Sequence, residues 1–215
     1  MRPQSGGADE PGEVDETRGE SSVALADLFA QCRERLELTV RLRLDRRLQG
    51  RIDAADVLQD TYLEASKRYP RYSRQPDMPA FLWLRFLTLQ TLAILHRKHL
   101  GTRMRDAGKE ISLYQSAFPE ASSAALAAHL LGQRTTPSQA AIRAETQVRL
   151  QAALDALDPN DRETIALRHF EQLSNSEAAQ VQGLSESGAS RRYAKALLRL
   201  KDVLVAFGLD QSSKR

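Results

Sequence analysis

Two histidines three residues apart, His96 and His99, are the first candidates for chemistry in this sequence. On a helix they would share a face and suit a metal ion, but no Glu or Cys completes a ligand set within reach in sequence. The single cysteine, Cys32, excludes a Cys-rich zinc site and a disulfide framework, and fits a reducing cytosol. There is no P-loop, no dinucleotide fingerprint and no nucleophile elbow. Catalysis is therefore rejected, no cofactor is implied, and His96 and His99 read as part of a basic rim.

The remaining chemistry is that of charge. Ser174-Asn175-Ser176-Glu177 spells a capping box, Gly183 supplies a left-handed turn, and Ser185 can cap a second, longer helix. This is the pattern of a helix-turn-helix, with small Ala178 where two helices must approach closely. Leu184, Ala189, Tyr193, Leu197 and Leu200 are expected to face the core. Ser187, Ser190, Arg191, Lys195 and Arg199, flanked by Arg192, then face outward, where cations suit phosphate or guanine and serines give short hydrogen bonds. A solvated basic face on an ordinary helical hairpin is the alternative. A second basic run comprises His96, Arg97, Lys98, His99, Arg103, Arg105 and Lys109, preceded by Tyr69, Tyr72, Phe81, Trp83 and Phe86. Aromatics beside cations can stack unpaired bases, but their helical spacing favours the core, for Trp83 and Phe86 above all. Asp53, Asp56 and Asp60 lie three and four residues apart, along one helix face. They suit a basic partner and not DNA; on the residues alone, a merely solvated stripe is the better reading.

The elements that position these groups are helical throughout. The chain has 215 residues, with 31 Lys+Arg against 28 Asp+Glu, so nucleic-acid binding must come from local clusters and not from net charge. Mean hydropathy is −0.47 and no apolar run approaches the length of a membrane span, and residues 1–20 lack the pattern of a signal peptide, so a cytoplasmic protein is expected. Residues 1–22, rich in Gly, Ser, Pro and acid, read as a disordered acidic tail. Leu25, Leu28, Phe29, Cys32, Leu36 and Val40 mark a first helix face, with Gly50 as its stop. Asp53 can cap a second helix that carries Ala54, Val57, Leu58, Thr61, Tyr62 and Ala65 inward and ends at Pro70. A central helix runs from about Ala80 to His99. Residues 113–136 read as a flexible linker. Thr136–Pro137 and Asp158–Pro159 each give a cap followed by proline, with Ile142, Thr146, Leu150, Ala153, Leu154 and Leu157 as an inner stripe. The expected fold is all-α: helical domains at 23–112 and 137–210, the second containing the helix-turn-helix.

Asp53 to Tyr62 resembles the acidic signature of sigma region 2. Trp83-Leu84 followed by the basic cluster resembles its promoter-melting part. Asp158 to Arg162 and then Leu173 to Ala179 resemble sigma region 4. Both blocks stand in the right order across a linker, and the chain from about Val23 to Phe207 is similar to the extracytoplasmic-function sigma factors of the sigma-70 family. The resemblance implies a non-catalytic initiation factor with core RNA polymerase and promoter DNA as partners, and members of the family are often held by an anti-sigma protein. It assigns Asp53, Asp56, Gln59 and Asp60 to polymerase binding. Arg97, Lys98, His99, Arg103 and Arg105 fall to the −10 element, and Ser187, Ser190, Arg191, Arg192 and Lys195 to the −35 element. Departures are Ala55 for a usual Glu, Gln90 and Ile94 near the −10 helix, Ala179 in the short helix, and Gly188-Ala189-Ser190 at the start of the recognition helix. Thr61 beside the acidic stripe is a candidate for phosphorylation, against packing as the plainer role. The competing function is a helix-turn-helix regulator that does not bind polymerase.

Overall fold

A computed structural model describes residues 13–100, 118–132 and 140–209, with side chains from residue 22 onward. Helix α1 spans Glu13–Arg43. It therefore begins inside the segment expected to be a disordered tail. Extending an existing helix needs no new nucleus, and nothing breaks the chain between residue 13 and the Leu25–Val40 stripe. That stripe is buried at Leu25, Phe29, Cys32, Leu36 and Val40, with Leu28 only partly so. The helix stops at Arg43, before Gly50, which lies in the turns that follow.

Helix α2, Ala54–Arg74, opens with the expected cap: Asp53 Oδ1 accepts from the Asp56 N–H at 2.9 Å, and Asp56 Oδ2 accepts from the Asp53 N–H at 2.9 Å. It does not end at Pro70. The helix continues through the proline because its last turn is held from outside. Tyr72 stacks on Trp83 with centroids 4.3 Å apart and donates its hydroxyl to the Met78 carbonyl at 2.9 Å. Helix α3, Ala80–Leu100, buries Phe81, Leu82, Trp83, Leu84, Leu87, Leu89 and Leu92, while Phe86 is half-buried. These three helices pack mutually and form the N-terminal unit.

The described part of the expected linker is a packed helix, α4 (Ser123–Leu131), whose Leu126 and Ala127 are fully buried. Its leading strand of chain is tied to both sides: Ser122 N–H donates to the Leu42 carbonyl at 2.8 Å, and Ala121 N–H to Glu163 at 3.2 Å. Four elements follow: α5 (Ala140–Asp155), α6 (Pro159–Ile165) running into a π-helical turn over Ala166–Phe170, α7 (Asn175–Gln182) and α8 (Glu186–Ala206). Leu150, Ala153, Leu154 and Leu157 point inward as expected, but Ile142 is 69% exposed, because only the second half of α5 contributes to the core. Residues 136 and 137, expected to cap α5, lie outside the described residues.

The two units are packed on each other. Leu167, Leu173 and Ala178 join the N-terminal core, and Leu42, Ala121 and Leu126 join the C-terminal one. Charges cross the same seam. Glu171, which follows the π turn, is fully buried, and its carboxylate pairs with Arg43 of α1 and with Arg85 Nε of α3, the latter at 2.7 Å. Thr39 donates to the same carboxylate at 3.0 Å. Arg35 reaches the backbone carbonyls of Glu171 and Gln172 at 3.3 and 3.2 Å. Arg43 also pairs with Glu163. Three N-terminal arginines thus grip one C-terminal turn.

Burial alone would push the Glu171 carboxyl up, but Arg43 and Arg85 outweigh it and hold it at about 2, against an ordinary 4.5. A carboxyl lowered by folding contributes stability that is complete above its unfolded value and is lost as pH falls through its folded one. Glu171 should therefore add the same stability at all pH above about 4.5 and lose it between there and about 2. Urea unfolding from pH 6 to 2 is the check. Parallel pH profiles for the parent chain and Glu171→Gln would contradict it.

Candidate nucleic-acid and protein interfaces

The helix-turn-helix is built as its residues dictate. Ser174 Oγ accepts from the Glu177 N–H at 3.1 Å, and the Glu177 carboxylate accepts from the Ser174 N–H at 2.7 Å, starting α7. Gly183 takes the left-handed conformation at φ 63°, where a Cβ would be strained, and turns the chain toward α8. Ser185 caps α8 by accepting from the Gly188 N–H at 3.1 Å. A Cβ at residue 188 would sit 3.1 Å from that same Ser185 hydroxyl, a tight contact that glycine avoids. Ala178 and Ala189 are buried where the helices cross. Asn175 fastens the start of α8 by donating to the Glu186 carbonyl at 2.9 Å and accepting from Ser190 Oγ at 3.1 Å.

That scaffold leaves Ser187, Arg191 and Lys195 exposed at four-residue spacing along one face of α8. The other expected members differ. Ser190 is exposed, but its hydroxyl is used by Asn175. Arg192 is half-buried, donates to Gln182 Oε1 at 3.3 Å, and lines a cavity of about 120 Å³ at the seam with Arg43, Arg85, Phe118 and Glu163. Arg199 is paired with buried Asp161 of α6 and serves to hold α8 on its unit. Leu197, expected in the core, is 39% exposed, because it lies beside the inward stripe of Ala196, Leu200 and Val203 and not on it.

At the end of α3, Arg97, Lys98 and His99 are exposed together, with Ile94 beside them on the surface. Arg103 and Arg105 lie outside the described residues. His96 is half-buried, its ring Nε2 accepting from the Asp45 N–H at 3.3 Å, and burial pushes its pKa down. It therefore helps dock α3 on the turn after α1 and contributes no charge to the rim. Phe81 and Trp83 are buried, Phe81 beneath the Arg35 guanidinium at 3.5 Å, so neither is placed to stack bases.

Asp53, Asp56, Gln59 and Asp60 are all exposed along α2. Asp53 and Asp56 spend part of their bonding capacity on the cap, whereas the Asp60 carboxylate makes no hydrogen bond or ion pair among the described residues. Thr61, between this stripe and the core, is fully buried and donates to the Val57 carbonyl at 2.7 Å. Its role is packing, and no phosphate fits there without opening the helix bundle.

Sequence reasoning missed the Glu171 cluster. One signal was present: Arg85 interrupts an otherwise apolar run, and a charge there demands a buried partner.

Residues 147–200, covering α7, α6, the second part of α5 and most of α8, match the family model for sigma-70 region 4. The chain is 29% identical over 157 residues to the ECF RNA polymerase sigma factor SigD of Mycobacterium tuberculosis, covering 73% of this chain and 66% of SigD. It thus spans just under two thirds of that relative's length. A 61-residue stretch is 39% identical to the RNA polymerase sigma-E factor of Streptomyces coelicolor, covering 28% of this chain and 34% of that protein. The fold is similar to that of CnrH, solved in complex with the cytosolic domain of CnrY, with a TM-score of 0.50 at 22% identity over 88% of this chain and 95% of CnrH. Fold and surface together define an all-α helix-turn-helix protein with a separate acidic helix. Its C-terminal unit matches sigma-70 region 4, and over most of its length the chain is similar to extracytoplasmic-function sigma factors.

The cap geometry separates carboxylates engaged in the helix cap from Asp60, which is not. Asp53→Ala should cost about 1 kcal/mol of stability through the lost helix cap, while Asp60→Ala should stay within about 0.5 kcal/mol of the parent. Urea unfolding measures both. Equal losses at the two positions would contradict the assignment.

Proposed function

We propose that this chain is a non-catalytic initiation factor that brings core RNA polymerase to particular promoters. The observation that carries the reading is the exposed carboxylate stripe of α2 on the same chain as a region 4 helix-turn-helix. A DNA-binding regulator needs the second and has no use for the first. In this reading Asp53, Asp56, Gln59 and Asp60 face the polymerase. Arg97, Lys98 and His99, with Arg103 and Arg105, engage the −10 element. Ser187, Arg191 and Lys195 read the −35 element, joined by Arg192, with Ser190 positioned by Asn175. The 23–112 and 137–210 domains divide these tasks. The protein works in the cytoplasm; among the described residues no helix is long and apolar enough to cross a membrane. An anti-sigma protein is proposed as a further partner, supported by the family's habit.

The regulator reading stays distinct because it predicts no polymerase contact. Pull-down with core polymerase tests the difference: the parent chain should be retained and Asp60→Ala should bind several-fold more weakly with unchanged DNA affinity. Absence of any retention would overturn the sigma reading. On the DNA side, Arg191→Ala and Lys195→Ala should each weaken binding and each lower the slope of log affinity against log salt by about 0.9. Titrations at several salt concentrations read this. Unchanged slopes for both would show the recognition face to be misassigned.

A further inference from the structure

We propose that the turn joining α1 to α2 is a further DNA-holding surface: Arg46 and Arg51, beside the basic end of α3, grip the phosphate backbone of duplex DNA. The inference rests on the sigma reading given above and deepens it, since these residues stand outside the sets assigned to the two promoter elements. The turn is built to be rigid. Leu44, Leu48 and Ile52 are buried in the N-terminal core. The Leu48 N–H donates to the Asp45 carbonyl at 2.9 Å, and the Arg51 N–H donates to the Leu48 carbonyl at 3.0 Å. Between these anchors Arg46, Arg47 and Arg51 are exposed. Arg47 is matched by the Asp45 carboxylate at 3.0 and 2.8 Å. Arg46 and Arg51 make no side-chain hydrogen bond or ion pair among the described residues. Their charge is left for a partner.

His96 fixes where this surface stands. Its ring Nε2 accepts from the Asp45 N–H at 3.3 Å, which docks the turn on the end of α3. Arg46 and Arg97 each follow one partner of that contact, and neighbouring Cα atoms are about 3.8 Å apart, so the two backbones lie within roughly 20 Å. Arg97, Lys98 and His99 are exposed at the same end of the unit. Cations from two elements thus make one patch. The major groove is about 12 Å wide, so charges spread over this distance can meet phosphates on both of its rims. The arginines stand on a turn, with no helix or ribbon to enter the groove, and therefore position the duplex without reading it. Two residues beyond Arg51 the acidic stripe begins at Asp53. A basic protein surface drawn to Asp53, Asp56 and Asp60 is repelled by Arg46 and Arg51. The two sets of charge therefore serve different partners.

The experiment compares three double variants of the full chain with the parent. Arg46→Gln with Arg51→Gln removes the two charges, and Arg46→Lys with Arg51→Lys keeps them. Arg71→Gln with Arg74→Gln removes two exposed charges at the opposite end of α2. Each form is titrated with a random-sequence DNA duplex over a range of salt, and its retention on core polymerase is measured alongside. The glutamine variant of the turn should bind the duplex several-fold more weakly, with a salt slope shallower by about 1.8, or about 0.9 for each lost phosphate contact. The lysine and far-end variants should match the parent, and all forms should be retained equally on core. Circular dichroism checks the helix content, and if the double change disturbs it, the single variants carry the test at about 0.9 each. A parental slope in the glutamine variant, or an equal loss from the far-end pair, would overturn the surface. So would lost core retention with unchanged DNA affinity, or a parent that does not bind the duplex even at low salt. The expected change in slope with no form retained on core would uphold the surface and overturn the sigma reading instead.

Discussion

A carboxylate enclosed by protein is tolerated only where fixed positive charge surrounds it, and Glu171 meets that condition through side chains from the other end of the chain. Arg43 and Arg85 come from α1 and α3, Thr39 adds a hydroxyl, and Arg35 closes the turn from the outside. Breaking one such pair typically costs about 3–5 kcal/mol, although replacing the whole set by apolar groups need not. The cluster is therefore a specifier of arrangement more than a source of stability. It favours one placement of the helix-turn-helix unit on the N-terminal helices, and beside it the Phe118–Leu131 segment is held by Ser122 on Leu42, by Ala121 on Glu163 and by burial of Leu126 and Ala127.

The local geometry around Glu171 fits that demand. The π turn at Ala166–Phe170 inserts an extra residue per turn, and the Glu171 N–H bonds to the Ala166 carbonyl at 2.9 Å. Gln172 then adopts φ 55°, a conformation that usually costs a non-glycine residue about 1 kcal/mol or more. Both irregularities re-aim the chain so that the carboxylate enters the seam and α7 starts afresh at Ser174. The cost is borne where two units meet, next to the helix pair that presents Arg191 and Lys195.

Much of the fold was legible in the sequence because local chemistry agreed with the final structure. The Asp53–Asp56 and Ser174–Glu177 boxes, the Gly183 turn and the Leu25–Val40 stripe each follow from a few neighbouring residues. What failed was tertiary in origin. Pro70 marks a helix end until the Tyr72–Trp83 stack is known to hold the last turn. The Ala/Ser-rich 113–136 segment has little helical signal until two surfaces bury Leu126 and Ala127. At the candidate site, exposure of Asp60, Arg97, Arg191 and Lys195 was readable from helical periodicity. The diversion of Ser190 to Asn175, of Arg192 to Gln182 and of Arg199 to Asp161 was not, since each depends on a residue at least ten positions away.

In the proposed function one acidic face meets an enzyme and two basic faces meet promoter DNA. Run-off transcription over a set of genomic fragments, with core polymerase alone and with the chain added, examines that division of labour most directly. Discrete transcripts that appear only when the chain is present, and fade for Asp60→Ala, are the predicted result. The same diffuse products with and without the chain would contradict it.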